Sequence, residues 1–271
     1  MNSIGARPEF SLLVSSCDAY ADCWPPFFTL LQKYWRGLNS PIVLCTETKT
    51  YSHAGLGIKC PCAGQNMTGS IPWSRLIHRT LEVVNTDYIV ILLDDFFLQA
   101  PVHESRLQEI LQSTVADKLA HVLLTDAPGP NLASPYPGLV VRGRRAPYRF
   151  SLQAGLWRTD YLLSQLRDHE SPWQFERWGS IRSRRNREAL YALEKAEFHS
   201  RPVFDYPMTG GGGLVRGRWK RDNVESLFQR EGIAIDYEVR GFMEPSDSVP
   251  RQSRFRHMWR KAWDAWLSLR P

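Results

Sequence analysis

Short apolar runs that end in polar residues recur along the first part of the chain. The clearest are Phe10–Ser15, Pro41–Cys45 and Asp87–Leu93. Continuous apolar runs of this length are typical of strands that are covered on both faces. Between them, Trp24–Trp35 and Ser74–Val84 carry apolar residues at the spacing of a helix. Strands that alternate with helices predict an α/β fold, with a mostly parallel central sheet and helices on both faces.

The pattern is weaker beyond the third predicted strand. Ala120–Leu124 is expected to be a further strand. Residues 126–148 hold five prolines and three glycines, which predicts a long loop or a mobile flap. Ser151–Trp157 is expected to open a helix that continues through Asp160–Leu166, because apolar residues in the later stretch have helical spacing.

The sequence of Arg254–Arg270 is basic and amphipathic. Its apolar residues, three tryptophans among them, recur at intervals of three and four, and most of the other positions are Arg or Lys. Such a helix lies on a membrane interface or packs against its own domain, and the pattern favours neither. We therefore expect one domain over residues 1–250, followed by an amphipathic helix within residues 251–271.

Charge divides the chain into two unequal parts. Residues 1–141 hold 9 Lys and Arg against 12 Asp and Glu, whereas residues 142–271 hold 25 against 16. A basic second half indicates an anionic partner, such as a nucleotide diphosphate, a lipid phosphate, a membrane face or nucleic acid. All five cysteines lie in the first quarter, at spacings that match no disulfide framework, and Met1–Phe10 lacks the apolar core of a signal peptide. These features favour a cytoplasmic protein with reduced thiols.

Polar residues follow three of the predicted strands where each strand ends. Residues 16–18 (Ser-Cys-Asp) follow the first, residues 46–47 (Thr-Glu) the second, and Asp94 and Asp95 the third. Ligands of open parallel sheets bind beyond the carboxyl ends of the strands, so these side chains are expected to face one crevice. Two ionised carboxylates between apolar residues are costly to bury unless a cation accompanies them, and Mg²⁺ or Mn²⁺ would serve together with a diphosphate. The alternative is a solvated pair at a strand end.

One segment resembles a known motif. The stretch W-S-R-L (73–76), followed by T-D-Y-I-V-I-L-L-D-D-F-F-L (86–98), resembles the region around the DxD motif of GT-A glycosyltransferases. It is most similar to bacterial enzymes that build capsular, exopolysaccharide or lipopolysaccharide glycans, although one of the usual outer acids is replaced. The resemblance implies a GT-A-like (Rossmann-like) fold and transfer of a sugar from a nucleotide sugar, such as a UDP-sugar, to a glycan or lipid-linked glycan. It also implies a divalent metal, Mn²⁺ or Mg²⁺, at Asp95, with Asp94 at the metal or the ribose.

The resemblance also implies a donor half of about residues 1–125 and an acceptor half of about residues 126–250. The residues that it places at the nucleotide sugar are Ser16, Asp18, Glu47, Arg75, Asp94, Asp95 and Gln153. Arg218 follows a run of four glycines, and this combination suits a loop that closes over a diphosphate. A solvated helix face for Arg75 and a plain linker for the glycine run are the alternatives. A lipid-linked acceptor would place the protein at the inner face of the cytoplasmic membrane.

Inverting transferases need a carboxylate that takes the proton from the acceptor hydroxyl. Glu176 and Glu170 both lie several tens of residues beyond the acidic pair, near a predicted helix start. Glu176 is preferred, because Trp173, Phe175 and Trp178 would surround it with apolar surface and raise its pKa. The alternatives are an ordinary surface glutamate and a retaining mechanism, which needs no such base.

Two other functions fit parts of the sequence. A sugar-phosphate nucleotidyltransferase usually carries a glycine-rich basic loop after its first strand, but residues 15–24 contain no Gly, Lys or Arg. A nucleic-acid-binding protein would use the basic, Trp-rich second half, but this function leaves the acidic strand end unexplained. We therefore expect no nucleic-acid partner. The arginine run 182–187 is expected to hold a diphosphate or a lipid-linked acceptor, or to be a solvated face.

Overall fold

The computed structural model describes residues 10–207, 211–244 and 266–269. In chain order, its strands are β1 (Ser11–Ser15), β2 (Ile42–Leu44), β3 (Ile58–Lys59), β4 (Tyr88–Leu93), β5 (His121–Leu123), β6 (Asn131–Ala133), β7 (Leu139–Arg142), β8 (Gly155–Arg158), β9 (Leu190–Leu193), β10 (Leu214–Val215) and β11 (Arg218–Trp219). Its α-helices are α1 (Trp24–Tyr34), α2 (Trp73–Leu81), α3 (Glu104–Ala116), α4 (Thr159–Gln165), α5 (Pro172–Gln174), α6 (Ser180–Arg182), α7 (Lys195–Ser200) and α8 (Arg221–Glu231). The 3-10 turns are Asp18–Cys23 and Tyr237–Val239, and a π-helical turn (Phe175–Gly179) joins α5 to α6.

Nine of these strands form one sheet, in the order β3-β2-β1-β4-β8-β5-β9-β7-β6. β1 pairs in parallel with β2 and β4, β2 pairs in parallel with β3, and β5 with β9. β8 is antiparallel to β4 and β5, and β7 is antiparallel to β9 and β6. All strands of this sheet except β7 and β8 therefore run in one direction, which confirms the predicted mostly parallel α/β fold.

Helices cover both faces of the sheet, because successive side chains of its central strands point to opposite sides. Leu12 and Val14 of β1 belong to the core that contains the buried residues of α1, α3 and α8. Leu13 of β1 and Ile89 of β4 belong to the second core, with buried residues of α2 and α4. The continuous apolar runs of β1 and β4 are explained by these two cores.

The prediction that a helix opens within Ser151–Trp157 is wrong. Residues 155–158 form strand β8, and the helix begins only at Thr159. The strand is short and adjoins the helix directly, so its apolar residues continue the helical spacing of the residues that follow. Gly155 lies where a larger side chain would be crowded, since a β-carbon there would lie 3.0 Å from the imidazole of His121 on the neighbouring strand.

The proline-rich stretch 126–148 is not one long loop. It contains β6 and β7, which pair with each other at the edge of the sheet. The five prolines lie outside these two strands, in the turns before, between and after them, so they remove no hydrogen bond of the sheet. The prolines and glycines of this stretch predict its turns but not the short strands between them.

The predicted helix at 254–270 lies mostly outside the described residues, of which 266–269 are helical. Within the described ranges, no helix has the length and apolar character needed to cross a bilayer. The sheet contains strands from both sides of residue 125. The division into donor and acceptor halves stays a prediction.

Candidate functional site

The carboxyl ends of β1, β2, β4 and β5 meet at one edge of the sheet, which we call the carboxyl edge. Residues 16–18, 46–47 and 94–95 follow the first three of these strands. β8 runs in the opposite direction, so its beginning lies at this edge. There, the hydroxyl of Thr125 donates a hydrogen bond of 3.0 Å to the side-chain carbonyl of Gln153. The carboxyl edge thus brings three polar strand ends together with the segment that enters β8.

Asp94 is buried, and its carboxylate is bonded to the neighbouring strand. The hydroxyl of Ser16 donates a hydrogen bond to Asp94 Oδ2, and Trp24 Nε1 donates to Ser16 Oγ over 2.7 Å. Burial raises the pKa of Asp94 well above its usual range, the charge of Asp95 raises it further, and the hydrogen bond from Ser16 opposes the rise. Asp94 is therefore a desolvated carboxyl group that the end of β1 holds in place.

Asp95 lies under the glycine-rich segment. A β-carbon on Gly212 would lie 2.5 Å from Asp95 Oδ2, and the backbone nitrogen of Gly213 donates to the Asp95 carbonyl. Asn223 of α8 holds the segment by donating to the carbonyls of Gly211 and Gly212 over 2.9 and 2.8 Å. Burial raises the pKa of Asp95 to about 6. The segment 211–213 therefore closes over this carboxylate.

Asp18 and Glu47 fix the loop after β1 to the loop after β2. The Asp18 carboxylate accepts hydrogen bonds from the backbone nitrogens of Glu47 and Thr48, each over 3.0 Å, and the Glu47 carboxylate accepts from the backbone nitrogen of Asp18. Burial acts to raise the pKa of Asp18, but the donors of Thr48, Lys49 and Glu47 lower it overall, whereas burial raises the pKa of Glu47. These bonds give both residues a structural part, and their contact with a nucleotide stays a prediction.

Glu176 lies on the π-helical turn Phe175–Gly179, a kind of turn that is frequent at functional sites. Its Oε1 accepts a hydrogen bond of 2.7 Å from the backbone nitrogen of Leu152. Burial raises the pKa of Glu176, and hydrogen bonds from Leu152 and Ser151 oppose this rise. Glu176 is thus a half-buried carboxylate that faces the segment entering β8.

The pairing of β4 with β8 relates Glu176 to the acidic pair. Ile91 lies opposite Gly155 at the end of this antiparallel ladder. Leu152 lies in the segment that enters β8, and this segment meets the sheet at the edge where β4 ends. Because Leu152 donates to Glu176, the carboxylate of Glu176 belongs to the same edge of the sheet as the aspartates.

Glu170 is fully buried and forms an ion pair with Arg182. Arg182 donates to both carboxylate oxygens of Glu170, over 2.5 and 2.9 Å, and to the carbonyl of Gln165 over 2.8 Å. A two-pronged pair of this kind occupies both carboxylate oxygens and fixes their orientation. This ion pair gives Glu170 a structural role, and the assignment of Glu176 as the base stays a prediction.

The remaining predicted contacts lie around the edge. The guanidinium of Arg75, on the exposed side of α2, is 4.0 Å from the carboxylate of Asp168. Arg218 is exposed at the start of β11, just beyond the glycine-rich segment. Gln153 is half-buried and accepts from Thr125. Arg75, Arg218 and Gln153 therefore stay predictions as nucleotide-sugar contacts.

Two residues of this site were not predicted from the sequence. Tyr20 follows β1, and its pKa is raised first by burial and then by nearby negative charges, of which that of Asp95 is the largest. The guanidinium of Arg240 lies 4.7 Å from the centre of the Tyr20 ring and binds the carboxylate of Asp22 through Nε over 2.6 Å. It also donates to the carbonyl of Gly217 in the β10–β11 hairpin. An aromatic residue after the first strand is a weak sequence signal, whereas Arg240 has none.

The two aspartates fit a hard divalent cation. Within the described ranges, no Lys or Arg forms an ion pair with Asp94 or Asp95, although burial disfavours the charged form of both. A divalent cation would supply that positive charge, and Mg²⁺ and Mn²⁺ commonly take one or two carboxylates with phosphate oxygens. The described part of the chain contains no group of three or more His, Cys, Asp and Glu that could hold a metal. Substrate oxygens would therefore have to complete the coordination.

The chain matches no protein-family model and no curated protein sequence, but it is similar to solved structures. S. aureus TarS 1–349 is 10% identical, with a TM-score of 0.48 over 86% of this chain and 68% of that one. Another S. aureus TarS structure is 11% identical, with a TM-score of 0.42 over 72% of this chain and 38% of that one. CMP:2-keto-3-deoxy-manno-octonic acid synthetase complexed with CTP is 13% identical, with a TM-score of 0.44 over 69% of this chain and 90% of that one. At these identities the likeness concerns the fold alone.

Proposed function

We propose that this protein is a glycosyltransferase that moves a sugar from a nucleotide sugar, most simply a UDP-sugar, to a glycan or lipid-linked glycan. The observation that carries the proposal is the desolvated pair of Asp94 and Asp95 at the carboxyl edge. Among the described residues no Lys or Arg forms an ion pair with either aspartate, and such a pair suits a diphosphate that is bridged by Mn²⁺ or Mg²⁺. Synthesis of bacterial surface polysaccharides is the process that the sequence resemblance implies.

The donor diphosphate is proposed to lie over Asp95, where the segment 211–213 now closes. This segment has to open to admit the donor, and its return would exclude water and suppress hydrolysis. Asp95 would hold the cation, and Asp94, positioned by Ser16, would be its second ligand or would bind the ribose. When bound, the cation neutralises charge on the departing nucleoside diphosphate.

Glu176 is proposed to be the general base of an inverting transfer. Its carboxylate accepts the proton of the acceptor hydroxyl while the hydroxyl oxygen forms a bond to the anomeric carbon. The bond between that carbon and the donor phosphate breaks, and its electron pair leaves with the nucleoside diphosphate. The rise that burial causes in the pKa of Glu176 makes its carboxylate a stronger proton acceptor.

A nucleotidyltransferase is the second candidate, and the loop after β1 argues against it. Such an enzyme has to cradle a triphosphate, usually with glycine backbone nitrogens and basic side chains. Here Asp18–Cys23 is a 3-10 turn of sequence DAYADC, which offers neither. Nucleotidyl transfer would also not explain why a half-buried carboxylate lies at the position of Glu176.

Thermal unfolding in the presence of a nucleotide panel tests the proposal. UDP-, GDP-, ADP- and CMP-sugars and CTP are each added with Mn²⁺ or Mg²⁺, with and without EDTA. We expect one nucleotide sugar to raise the melting temperature, EDTA to remove the rise, and Asp95→Asn to abolish it. Asp160→Asn, on the exposed side of α4, is the matched control and should keep the rise.

The same panel separates the candidates. Stabilisation by CTP and a sugar phosphate, with release of pyrophosphate, would favour the nucleotidyltransferase. No stabilisation by any nucleotide or nucleotide sugar would overturn both assignments.

A further inference from the structure

A basic surface lies on two loops, residues 143–149 and 183–189. Its exposed arginines are Arg144, Arg145, Arg184, Arg185 and Arg187. We call these five residues the arginine surface. Arg149 is buried between the two loops, where it donates to the carbonyl of Ser183 over 2.7 Å and to that of Glu188 over 3.1 Å. The two loops are therefore held together as one surface.

The arginine surface lies at the opposite edge of the sheet from the acidic pair. β9 begins at Leu190, opposite His121, which is the first residue of β5. β7 is antiparallel to β9 and ends at Arg142, so the next loop starts at the same edge. Asp94 and Asp95 follow the carboxyl end of β4, which runs in the same direction as β5 and β9. The arginine run is consequently not a clamp for a diphosphate bound at Asp95.

The charge of this surface has no internal counterpart. Across residues 10–207, 211–244 and 266–269, none of the five arginines forms an ion pair. Glu188 is the one acidic residue in the two loops, and it is 3.1 Å from the guanidinium of Arg158. Below the surface, Arg142 donates to the carbonyls of Pro128 and Pro147 and to an amide oxygen, but to no carboxylate. The whole region thus presents a positive potential.

One exposed aromatic side chain lies among the arginines. Tyr148 is in the first loop and is 60% exposed. Arg182, which precedes the second loop, forms an ion pair with Glu170 and donates to the carbonyl of Ser268 over 2.9 Å, so residues 266–269 pack against the domain beside that loop.

We infer that the arginine surface docks this protein on an anionic membrane. Arginines near a membrane surface bind acidic headgroups, each raising the affinity about fivefold. Tyr148 suits the interfacial layer of a membrane, where Tyr side chains are enriched. Binding of nucleic acid, whose bases can also stack on an exposed tyrosine, is an outcome of the test below. This inference does not depend on the proposed activity.

Vesicle sedimentation with the full chain tests the inference. Vesicles of phosphatidylcholine alone are compared with vesicles that also contain about 30% phosphatidylglycerol. We expect binding to the anionic vesicles only, and weaker binding at high salt. Arg184→Glu combined with Arg185→Glu should weaken it about 25-fold or more. Arg36→Glu combined with Lys59→Glu changes the net charge equally, at exposed positions of the first half, and should retain binding.

A second variant separates the membrane from other polyanions. Tyr148→Ser leaves every arginine in place and should weaken vesicle binding severalfold, while leaving unchanged any weak binding of inorganic polyphosphate, which has no aromatic groups to stack on the tyrosine. Equal melting temperatures of all variants exclude unfolding as the cause of weaker vesicle binding. If the Arg184→Glu, Arg185→Glu variant fails to fold, the combination of Arg144→Ser and Arg145→Ser takes its place. Wild-type affinity of the Arg184→Glu, Arg185→Glu variant for anionic vesicles would overturn the inference. Binding of RNA but not of vesicles would also overturn it.

Discussion

The hydroxyl of Ser16 donates a hydrogen bond to the carboxylate of Asp94 and so joins the end of β1 to the end of β4. The same oxygen accepts from Trp24 Nε1. Both partners are buried, and a buried polar group that loses its partner costs about 1–3 kcal/mol. We therefore expect Ser16→Ala to lower the free energy of unfolding by about 2 kcal/mol in urea titrations. Ser52→Ala, at an exposed position, is the control, and equal stability of the two variants would contradict the bond.

Asp95 should destabilise the ligand-free protein at neutral pH. Burial raises its pKa from 3.8 to about 6. Between these pH values the folded state binds more protons than the unfolded state, so this group lowers stability as the pH rises through the interval. Asp95→Asn should then be more stable than the wild type at pH 7, by up to about 3 kcal/mol, with a difference that disappears near pH 4. Unfolding in EDTA at several pH values measures this, and a less stable variant at pH 7 would refute it.

Glu176→Gln should abolish transfer and spare donor binding. A positioned base contributes about 10²–10⁴-fold to the rate, so the turnover number should fall by that factor. The melting-temperature rise with nucleotide sugar and cation should match that of the wild type. Glu82→Gln, an exposed residue at the end of α2, is the control and should keep full activity. Full activity of Glu176→Gln would show that Glu176 is not the general base, and a retaining mechanism, which needs no such base, would then be open.

Glu170→Gln should act on stability instead. The change leaves the guanidinium of Arg182 buried without its countercharge, and breaking a buried pair in this way costs about 3–5 kcal/mol. Glu176 has no cationic partner among the described residues, so Glu176→Gln should cost far less. Urea unfolding of the two variants compares them directly. If Glu170→Gln lowers the free energy of unfolding less than Glu176→Gln does, Glu176 is the structural carboxylate and Glu170 is the candidate base.

Gly212→Ala should disturb the closed segment above Asp95. The added carbon would lie 2.5 Å from Asp95 Oδ2 and 2.9 Å from the ring of Phe96, so the segment or the carboxylate has to move. Overpacking of this kind costs about 1–3 kcal/mol, and the affinity for the donor should fall about tenfold or more. Gly57→Ala, with no atom within 4 Å of the added carbon, is the control. Calorimetric titration with the nucleotide sugar that the panel identifies measures the donor affinity of both variants. Equal affinities of the two variants would show that the segment 211–213 takes no part in donor binding.

The first strands and the acidic pair are predictable from the sequence because β1 and β4 are buried on both faces and therefore have uninterrupted apolar sequences. β8 and β9 are not, since four residues between a turn and a helix are too few to show a period. The bonds of Asp18 to the loop after β2 and of Arg240 to Asp22 depend on chain segments that only the fold brings together. Residue type and local spacing do not predict such partners.

The position of β8 also has a consequence for the order in which the molecule can form. β4 and β5 do not touch each other in the sheet, because β8 lies between them. A growing chain that has reached β5 can assemble β3, β2, β1 and β4, but β5 has no place to add until β8 has been made. In this order β5 joins the sheet through β8, and the paired strands β6 and β7 join it through β9. Folding should slow at this step, because contacts between distant parts of the chain are costly to bring together.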